Sequence, residues 1–491
     1  MFKVFGPSVG TEKSTHPVTF CKISLGRRHV QYSLLFFGGL IAFAIRASLS
    51  VAIVAMVSDH PPDPDIKTYP NWTNKDVILS SFFWGYALLQ VPAGFICYKY
   101  GPKYFLGVSF SIASVLTLLA PLMAEKMGSS GIMISRIIQG LSQGFLYPST
   151  HSIMSKWTPL PERSRALSFV YSAGTLGPTI GMPIAGMICG SRYGWPMVFY
   201  SFGTIGLLWS FTFLWLCHNS PQEDPGISKV EQKYLKQQIH GDSGGKRLPV
   251  PWRSLFTSIP FWAIVIANSG NNFGFLTLLA EIPSFMEGVL KYNIEQNSFL
   301  SALPFLASFV IALFLSPISD SLIVRKKLSI EASRKIFNCL GTYIPAVALI
   351  VLSFINPEMK SLAVLLLVIA VGINAAVLVG FNANHIDIAP NFAGILMGFS
   401  NGAGQVAAII GPLLVQVIVT DQSDPSQWRI VFIIAASMFI STSTFFLIFA
   451  SGDIQRWNGG GESTTTKGIA LTSYKYVRVE KAVNIEAESE E

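Results

Sequence analysis

Long apolar stretches separated by short polar segments dominate the pattern of this chain. A helix that crosses the hydrocarbon of a bilayer needs about 20 apolar residues, whereas the strands of a membrane barrel would be half as long and would alternate in polarity. Twelve stretches have the length of a spanning helix. They predict an all-α membrane protein with twelve transmembrane helices, at residues 31–57, 77–97, 104–124, 131–154, 166–190, 197–217, 260–284, 298–320, 334–355, 361–383, 393–419 and 428–449.

The composition supports a membrane protein. Of the 491 residues, 51% are hydrophobic and 13% are charged, whereas about 25% charged residues is typical of soluble domains. The net charge of +8 could indicate a nucleic-acid partner. The positive residues are, however, spread over short loops between the apolar stretches, which membrane topology explains better. We therefore expect a lipid bilayer around the chain, no nucleic-acid partner and, since the five cysteines lack metal-ligand spacing, no metal.

The same charges predict the orientation. With the N-terminus in the cytosol, 26 of the 35 Lys and Arg residues fall on the cytosolic side and 7 on the other side. This excess places both tails in the cytosol. The first loop on the opposite side contains the only Asn-X-Thr sequence, at Asn71, which would be a glycosylation site there.

The two halves of the chain resemble each other. Three pairs of segments match at offsets of 233, 234 and 222 residues: 194–199 with 427–432, 177–178 with 411–412, and 94–101 with 316–325. Two duplicated halves with a site between them at mid-membrane are typical of transporters. The predicted organisation is a cytosolic tail, a six-helix bundle, a cytosolic linker, a second six-helix bundle and a second cytosolic tail, at residues 1–30, 31–217, 218–259, 260–450 and 451–491.

Two arginines, Arg46 and Arg136, lie inside predicted spans. A guanidinium in hydrocarbon costs about 3 kcal/mol or more, so it should face a partner, a cavity or a ligand. Its planar shape suits a carboxylate or a phosphate. Gln139 and Gln143 follow Arg136 on the same helical face. The pattern favours an anion site lined by these residues, while a structural pair with a buried acid or a helix end stays open.

Many short motifs occur in order along the chain. They include Ser-Phe-Phe-Trp-Gly-Tyr at 81–86 and Arg-Ile-Ile-Gln-Gly at 136–140, and further motifs at 45–54, 147–148, 155–157, 161–164, 194–200, 299–304, 384–390 and 394–398. Together they resemble the anion transporters of the major facilitator superfamily, the group that includes sialin, the vesicular glutamate transporters and the sodium–phosphate cotransporters. The resemblance covers residues 28 to 457 and implies a fold of two pseudo-symmetric six-helix bundles.

The resemblance implies roles for several site residues. Arginines at the positions of Arg46 and Arg136 bind substrate in that family. Tyr86 and Asn382 fall in its motifs on helices expected to face the cavity, where they would bind substrate or join helices. Sialin-like relatives have glutamates at the positions of Gln139 and Gln143, and those acids are associated with proton coupling. Because glutamine cannot titrate, the resemblance leaves proton symport by this route in question.

Other residues are candidates for ion coupling or gating. Three titratable residues could take part in ion coupling: His151, Glu281 and His385. Roles in helix packing stay open for them. Four charged residues at the cytosolic ends of predicted helices match loops that close the cytosolic side in this superfamily: Lys99, Lys103, Asp320 and Arg325. Positive-inside topology is the alternative explanation for the cations.

The predicted function is secondary-active transport of one small anion by alternating access, by a monomer without a cofactor. Inorganic phosphate with sodium, or an organic carboxylate such as sialic acid or an acidic amino acid with sodium, protons or voltage, all stay open. So does the choice between the plasma membrane and an endolysosomal or vesicular membrane. No nucleotide-binding loop is present, which argues against ATP drive. The alternatives are a receptor, which the repeat disfavours, and a membrane-embedded enzyme such as an acyltransferase, for which residues 384–387 hold the nearest His-Asp pair.

Overall fold

A computed structural model describes residues 26–58, 63–72, 74–239, 248–292 and 294–459. All regular secondary structure in these ranges is helical. It consists of short 3₁₀ turns and fifteen α-helices: α1 (Arg27–Met56), α2 (Lys75–Tyr100), α3 (Pro102–Gln143), α4 (Leu146–Trp157), α5 (Arg163–Cys189), α6 (Gly194–Leu216), α7 (Lys229–Gln238), α8 (Trp252–Phe256), α9 (Ile259–Gly288), α10 (Ile294–Val324), α11 (Ile330–Ser353), α12 (Lys360–Asn374), α13 (Phe381–Ile388), α14 (Ala393–Ile418) and α15 (Pro425–Phe449).

The helices confirm the all-α prediction but change several predicted bounds. The third and fourth predicted spans are joined in α3, which bends at Gly128, where φ is +63°. The fourth span then breaks after Gln143 and finishes as α4. The tenth span does not end at residue 383, because α12 continues through a 3₁₀ turn into α13. His385, expected after that span, therefore lies inside a helix.

Most of the spans are recognisable from length and apolar composition. Nine helical stretches of the described residues qualify, and one of them, Pro102–Trp157, has 56 residues. At 1.5 Å per residue that stretch is long enough for two crossings. The helices α5 and α9 do not qualify, although they have 27 and 30 residues. Both contain polar and glycine residues, such as the Asn-Ser-Gly-Asn-Asn run at 268–272.

The helices pack into two bundles. In the first bundle, α1 packs against α5 and α6, and α3 packs against α2 and α6. In the second bundle, α9 packs against α14 and α15, and α11 packs against α12 and α15. We call the end where α1 begins and α15 ends the tail face, and the opposite end the far face.

The two bundles meet where α2 packs against α14, α4 against α14 and α5 against α10. Glycines allow the backbones of α2 and α14 to approach closely. A Cβ atom on Gly94 would lie 2.7 Å from the carbonyl oxygen of Gly394, so any larger residue would push the helices apart. Both glycines lie in the halves of their helices nearer the tail face. The bundles are therefore closed against each other on that side.

The linker between the bundles contains the short helices α7 and α8, where the sequence indicated only a polar segment. Its first part is fastened to the first bundle. The Arg27 guanidinium donates to Asp224 at 2.9 Å, and the Arg28 guanidinium contacts Glu162 and Glu231, each at 3.0 Å. The backbone amides of Arg27 and Arg28 also donate to the Glu231 carboxylate.

The pair of Arg27 and Asp224 has a predictable pH dependence. Burial opposes ionisation of Asp224, but hydrogen bonds from Arg27 and from the Gly226 amide hold its pKa below the ordinary value. A carboxyl whose pKa is lowered by folding stabilises the fold above its unfolded pKa of about 3.9, and this contribution is lost as pH falls through the folded pKa. The contact is therefore intact at neutral pH.

We expect Asp224→Asn to release the linker at pH 7, so that trypsin cleaves it faster after Lys229 and its neighbours. Asp453→Asn, which changes an exposed aspartate near the end of the second bundle, is the matched control and should leave the rate unchanged. Equal cleavage rates in the wild type and in Asp224→Asn would show that the ion pair does not hold the linker.

Candidate functional site

Arg46 and Arg136 contact the same aromatic ring. The guanidinium carbon of Arg46 lies 4.7 Å from the centre of the Phe82 ring, and that of Arg136 lies 4.8 Å from it. The two carbons are therefore no more than 9.5 Å apart. Three helices, α1, α2 and α3, bring these residues together.

Arg46 is half-buried in an aromatic environment. Besides Phe82, its guanidinium carbon lies 4.3 Å from the centre of the Phe83 ring, 5.5 Å from that of Tyr86 and 5.9 Å from that of Phe43. Aromatic faces attract cations, by about 2 kcal/mol where water is excluded. Among the described residues, no side chain or carbonyl accepts a hydrogen bond from Arg46. The N–H donors of the Arg46 guanidinium are therefore available to a ligand.

Arg136 is buried and held by a neutral neighbour. Its Nη1 atom donates to the Gln139 Oε1 atom at 3.2 Å, one turn further along α3. The Gln139 amide in turn donates to Thr117 at 3.2 Å and to Ser135 at 3.4 Å. The Nε atom of Arg136 is buried without a hydrogen-bond partner. Gln139 thus orients the guanidinium without neutralising it.

Gln143 joins the same region to α1. Its amide nitrogen donates to the carbonyl oxygen of Ala42 at 3.4 Å, one helical turn before Arg46. Like Gln139 it is buried and cannot ionise. The polar groups that surround the two arginines are therefore uncharged.

The charge of this region is positive. In the described parts of the chain, neither Arg46 nor Arg136 forms an ion pair with an acid, whereas the buried Arg163 and Arg334 at the tail face do. Two guanidinium groups repel each other more strongly in a low dielectric than in water. One anion placed between them would reduce that repulsion and use their free donors. The geometry is suited to binding a carboxylate or a phosphate.

Tyr86 connects this region to the second bundle. Its hydroxyl accepts a hydrogen bond from the Asn401 amide of α14 at 3.2 Å. Both residues are buried. Sequence reasoning missed Asn401, although a lone asparagine in an apolar helix was a usable signal.

Two histidines meet between the bundles, nearer the tail face. The Nε2 atom of His151 in α4 and the Nδ1 atom of His385 in α13 lie 3.2 and 2.9 Å from the carbonyl oxygen of Asn382. A carbonyl only accepts, so both nitrogens carry hydrogen. The other ring nitrogens bond to the hydroxyls of Tyr171 and Ser400. Neutral imidazoles satisfy every one of these bonds. The Oδ1 atom of the Asn382 side chain is buried and has no hydrogen-bond partner among the described residues.

This arrangement does not form a catalytic His-Asp pair. Both nitrogens of His385 are used by Asn382 and Ser400. Asp387 instead accepts from Arg163 of the first bundle and from Arg334 of the second, each at 2.6 Å. All three charged groups are buried. They form an ion cluster that holds the bundles together at the tail face.

Among the four predicted gating residues, Asp320 makes contacts between the bundles. It lies inside α10, not after it, and accepts from the backbone amides of Ser164 and Arg165 at 3.0 and 2.9 Å. The other three form no ion pair among the described residues. The ammonium groups of Lys99 and Lys103 lie over tyrosine rings, and Arg325 is exposed.

The two remaining candidates lie away from these contacts. Glu281 is half-buried in α9 and forms no ion pair with a described residue. Asn71 is exposed in the loop at the far face, while Thr73, which completes its glycosylation sequence, lies outside the described residues. Within the described ranges, no group of three or more His, Cys, Asp or Glu residues could hold a metal ion.

Comparison with known proteins adds sequence relatives. The sequence model of the Major Facilitator Superfamily matches residues 35–412. A protein of Drosophila ananassae that is provisionally named an inorganic phosphate cotransporter is 38% identical over 90% of this chain and 96% of its own length. Human sialin is 35% identical over 86% of this chain and 89% of its own. Vesicular glutamate transporter 1 of Bos taurus is 36% identical over 92% and 82%.

Solved structures match the fold. The proton:xylose symporter XylE, bound to 6-bromo-6-deoxy-D-glucose, superposes with a TM-score of 0.68 and covers 87% of this chain and 97% of its own, at 15% identity. The Escherichia coli fucose:proton symporter FucP superposes with a TM-score of 0.62 and covers 86% and 99%, at 10% identity. Identities this low bear on the fold alone.

Proposed function

We propose a function for this chain on the basis of its family: it belongs to the Major Facilitator Superfamily. It is a multi-pass membrane protein and a secondary-active transporter of a small anion. The observation that carries the choice of an anion is the pair of guanidinium groups on the Phe82 ring, for which the described residues supply no acid. The relatives named as an inorganic phosphate cotransporter, sialin and a vesicular glutamate transporter support this choice.

Alternating access follows from the contacts between the bundles. The ion cluster of Asp387 and the close approach of Gly94 and Gly394 close the tail side. Arg46 and Arg136 lie in the halves of their spans nearer the far face. We infer that this conformation receives the anion from the far face, and that breaking the tail-side contacts releases it on the other side.

The tail face is the cytosolic face in this proposal, because the sequence assigns 26 of the 35 Lys and Arg residues to that side. Asn71 then faces the lumen or the exterior, where it can be glycosylated. The transporter acts as a monomer, without a cofactor, and moves its solute chemically unchanged. Plasma, lysosomal and vesicular membranes all fit this orientation, and the human sialin and vesicular glutamate transporter relatives favour an internal membrane.

We further propose that coupling uses the histidine pair. The rings of His151 and His385 have centroids 5.1 Å apart and share the Asn382 carbonyl across the bundle boundary. A proton added to His151 must displace the hydrogen that Tyr171 donates to it. Two imidazolium rings at this distance would repel, so the pair holds at most one extra proton. Protonation would therefore loosen a contact that closes the tail side, and sodium is the alternative coupling ion.

The proposed function is tested by uptake into liposomes that contain the purified protein. Labelled phosphate, sialic acid and glutamate are each offered under separate inward gradients of sodium, protons and voltage. We expect concentrative uptake of at least one chemically unchanged anion and dependence on one gradient. Conversion of a solute into a product, or no uptake of any anion by folded protein, would refute the proposal.

We expect Gln143→Glu to make uptake depend more steeply on pH. The new carboxyl would lie beside Ala42, one turn from Arg46, where protonation changes the charge that the anion meets. The measurement is the initial uptake rate from pH 5 to 8. Gln237→Glu, which adds an acid to the exposed linker helix α7, is the matched control. A pH profile identical to that of the wild type would mean that coupling does not pass through this position.

A further inference from the structure

We propose that Gln405 of α14 binds the neutral, hydrogen-bonding part of the transported anion. The substrate is then an organic anion that carries a hydroxyl, amino or amide group beside its acidic group. This inference rests on the proposed anion site at Arg46 and Arg136. It assigns the second bundle a part in substrate selection.

The register of α2 against α14 places Gln405 at the level of the arginines. The helices run antiparallel, and successive contacts pair Gly94 with Gly394 and Gln90 with both Gly398 and Gly402. The hydrogen bond between Tyr86 and Asn401 continues the series. One turn further along α14, position 405 lies opposite the turn of α2 formed by residues 82–86. That turn supplies three of the rings against which Arg46 packs.

Gln405 also points inward. Residues four apart share a helix face, so it lies on the side of α14 that Asn401 turns toward α2. Its neighbour Val406 is 57% exposed and faces the lipid, whereas Gln405 is 6% exposed. The side chain is therefore enclosed between the bundles.

The Gln405 amide lacks a partner. Its Oε1 atom is buried and accepts no hydrogen bond from any described residue. A buried acceptor left unpaired costs about 1–3 kcal/mol, so such a group calls for a ligand. An amide oxygen takes an O–H or N–H donor and is a poor partner for a carboxylate. When the anionic group of the substrate binds to Arg46 and Arg136, an O–H or N–H group of the same substrate would donate a hydrogen bond to Gln405.

The test compares uptake of matched anions that differ by one hydroxyl: 2-hydroxyglutarate with glutarate, and N-acetylneuraminate with its 4-deoxy analogue. Liposomes contain the wild type, Gln405→Met, which keeps the shape of the side chain and removes its amide, or Gln416→Met. The last is the control, because Gln416 is exposed on the same helix. Monodisperse elution and the thermal unfolding midpoint report whether each variant is folded.

We expect the wild type and Gln416→Met to prefer the hydroxylated member of at least one pair by about tenfold in kcat/KM. Gln405→Met should lose that preference and take up both members of the pair at similar rates. An undiminished preference in Gln405→Met, or a wild type that transports an anion but distinguishes neither pair, would overturn the inference and leave the proposed function standing. A wild type that takes up no anion would refute the proposed function itself.

Discussion

Replacing Arg46 by alanine should abolish anion uptake while leaving the protein inserted and folded. The loss follows because the anion is held by both guanidinium groups, and Arg136 alone supplies only one of the two positive charges. Removing one partner of a buried charged contact typically costs 2–5 kcal/mol, which predicts a fall in kcat/KM of about thirtyfold or more. The fold should survive, because Arg46 contacts aromatic rings and forms no ion pair among the described residues.

The measurement is the initial rate of anion uptake into liposomes, normalised to the amount of monodisperse protein. Arg192→Ala is the matched control, since Arg192 is an exposed arginine in a far-face loop, and it should transport like the wild type. Arg46→Lys should recover little, because an ammonium cannot bind an oxyanion with two parallel hydrogen bonds. Normal uptake by a folded Arg46→Ala protein would contradict the anion site.

The second large effect is expected from Asp387→Asn. Asp387 is buried between Arg163 and Arg334, which belong to different bundles. Its neutralisation leaves two buried guanidinium groups without a shared anion, and breaking a buried ion pair costs about 3–5 kcal/mol. We expect the closed tail side to be destabilised, with a lower thermal unfolding midpoint and uptake reduced at least about tenfold.

A double variant separates charge from packing. Arg163→Gln in the Asp387→Asn background removes one of the two stranded cations, so part of the lost thermal stability should return. Asp453→Asn, at an exposed position, controls for the change of side chain. Wild-type stability and uptake in Asp387→Asn would show that the cluster does not hold the bundles together.

Most of the fold could be predicted because a membrane imposes one length on every span. The hydrophobic pattern did not predict the interruptions within spans. The fourth span is interrupted at Gly144 and Phe145, between α3 and α4, where the Phe145 amide donates to Ser142, three residues earlier. Apolar composition continues across that interruption. The end of the tenth span was placed too early, because Asn384, His385 and Asp387 read as loop residues but are buried inside α13.

The arginines could be predicted as candidate site residues because a charge in an apolar stretch stands out. Their shared contact with Phe82 was not, since it depends on how α1, α2 and α3 are rotated against each other. The ion cluster of Arg163, Arg334 and Asp387 joins residues 53 and 224 positions apart in the chain. Each of them lies at the end of a span, where topology alone accounts for a charge.

The central claim is that Arg46 and Arg136 together hold the transported anion. A structure of the wild-type protein in lipid, with a saturating concentration of the anion taken up in the liposome assay, tests it most directly. We expect the acidic group of that anion to lie within hydrogen-bonding distance of both guanidinium groups, beside the Phe82 ring. An anion bound elsewhere, with the two arginines paired to protein groups, would contradict it.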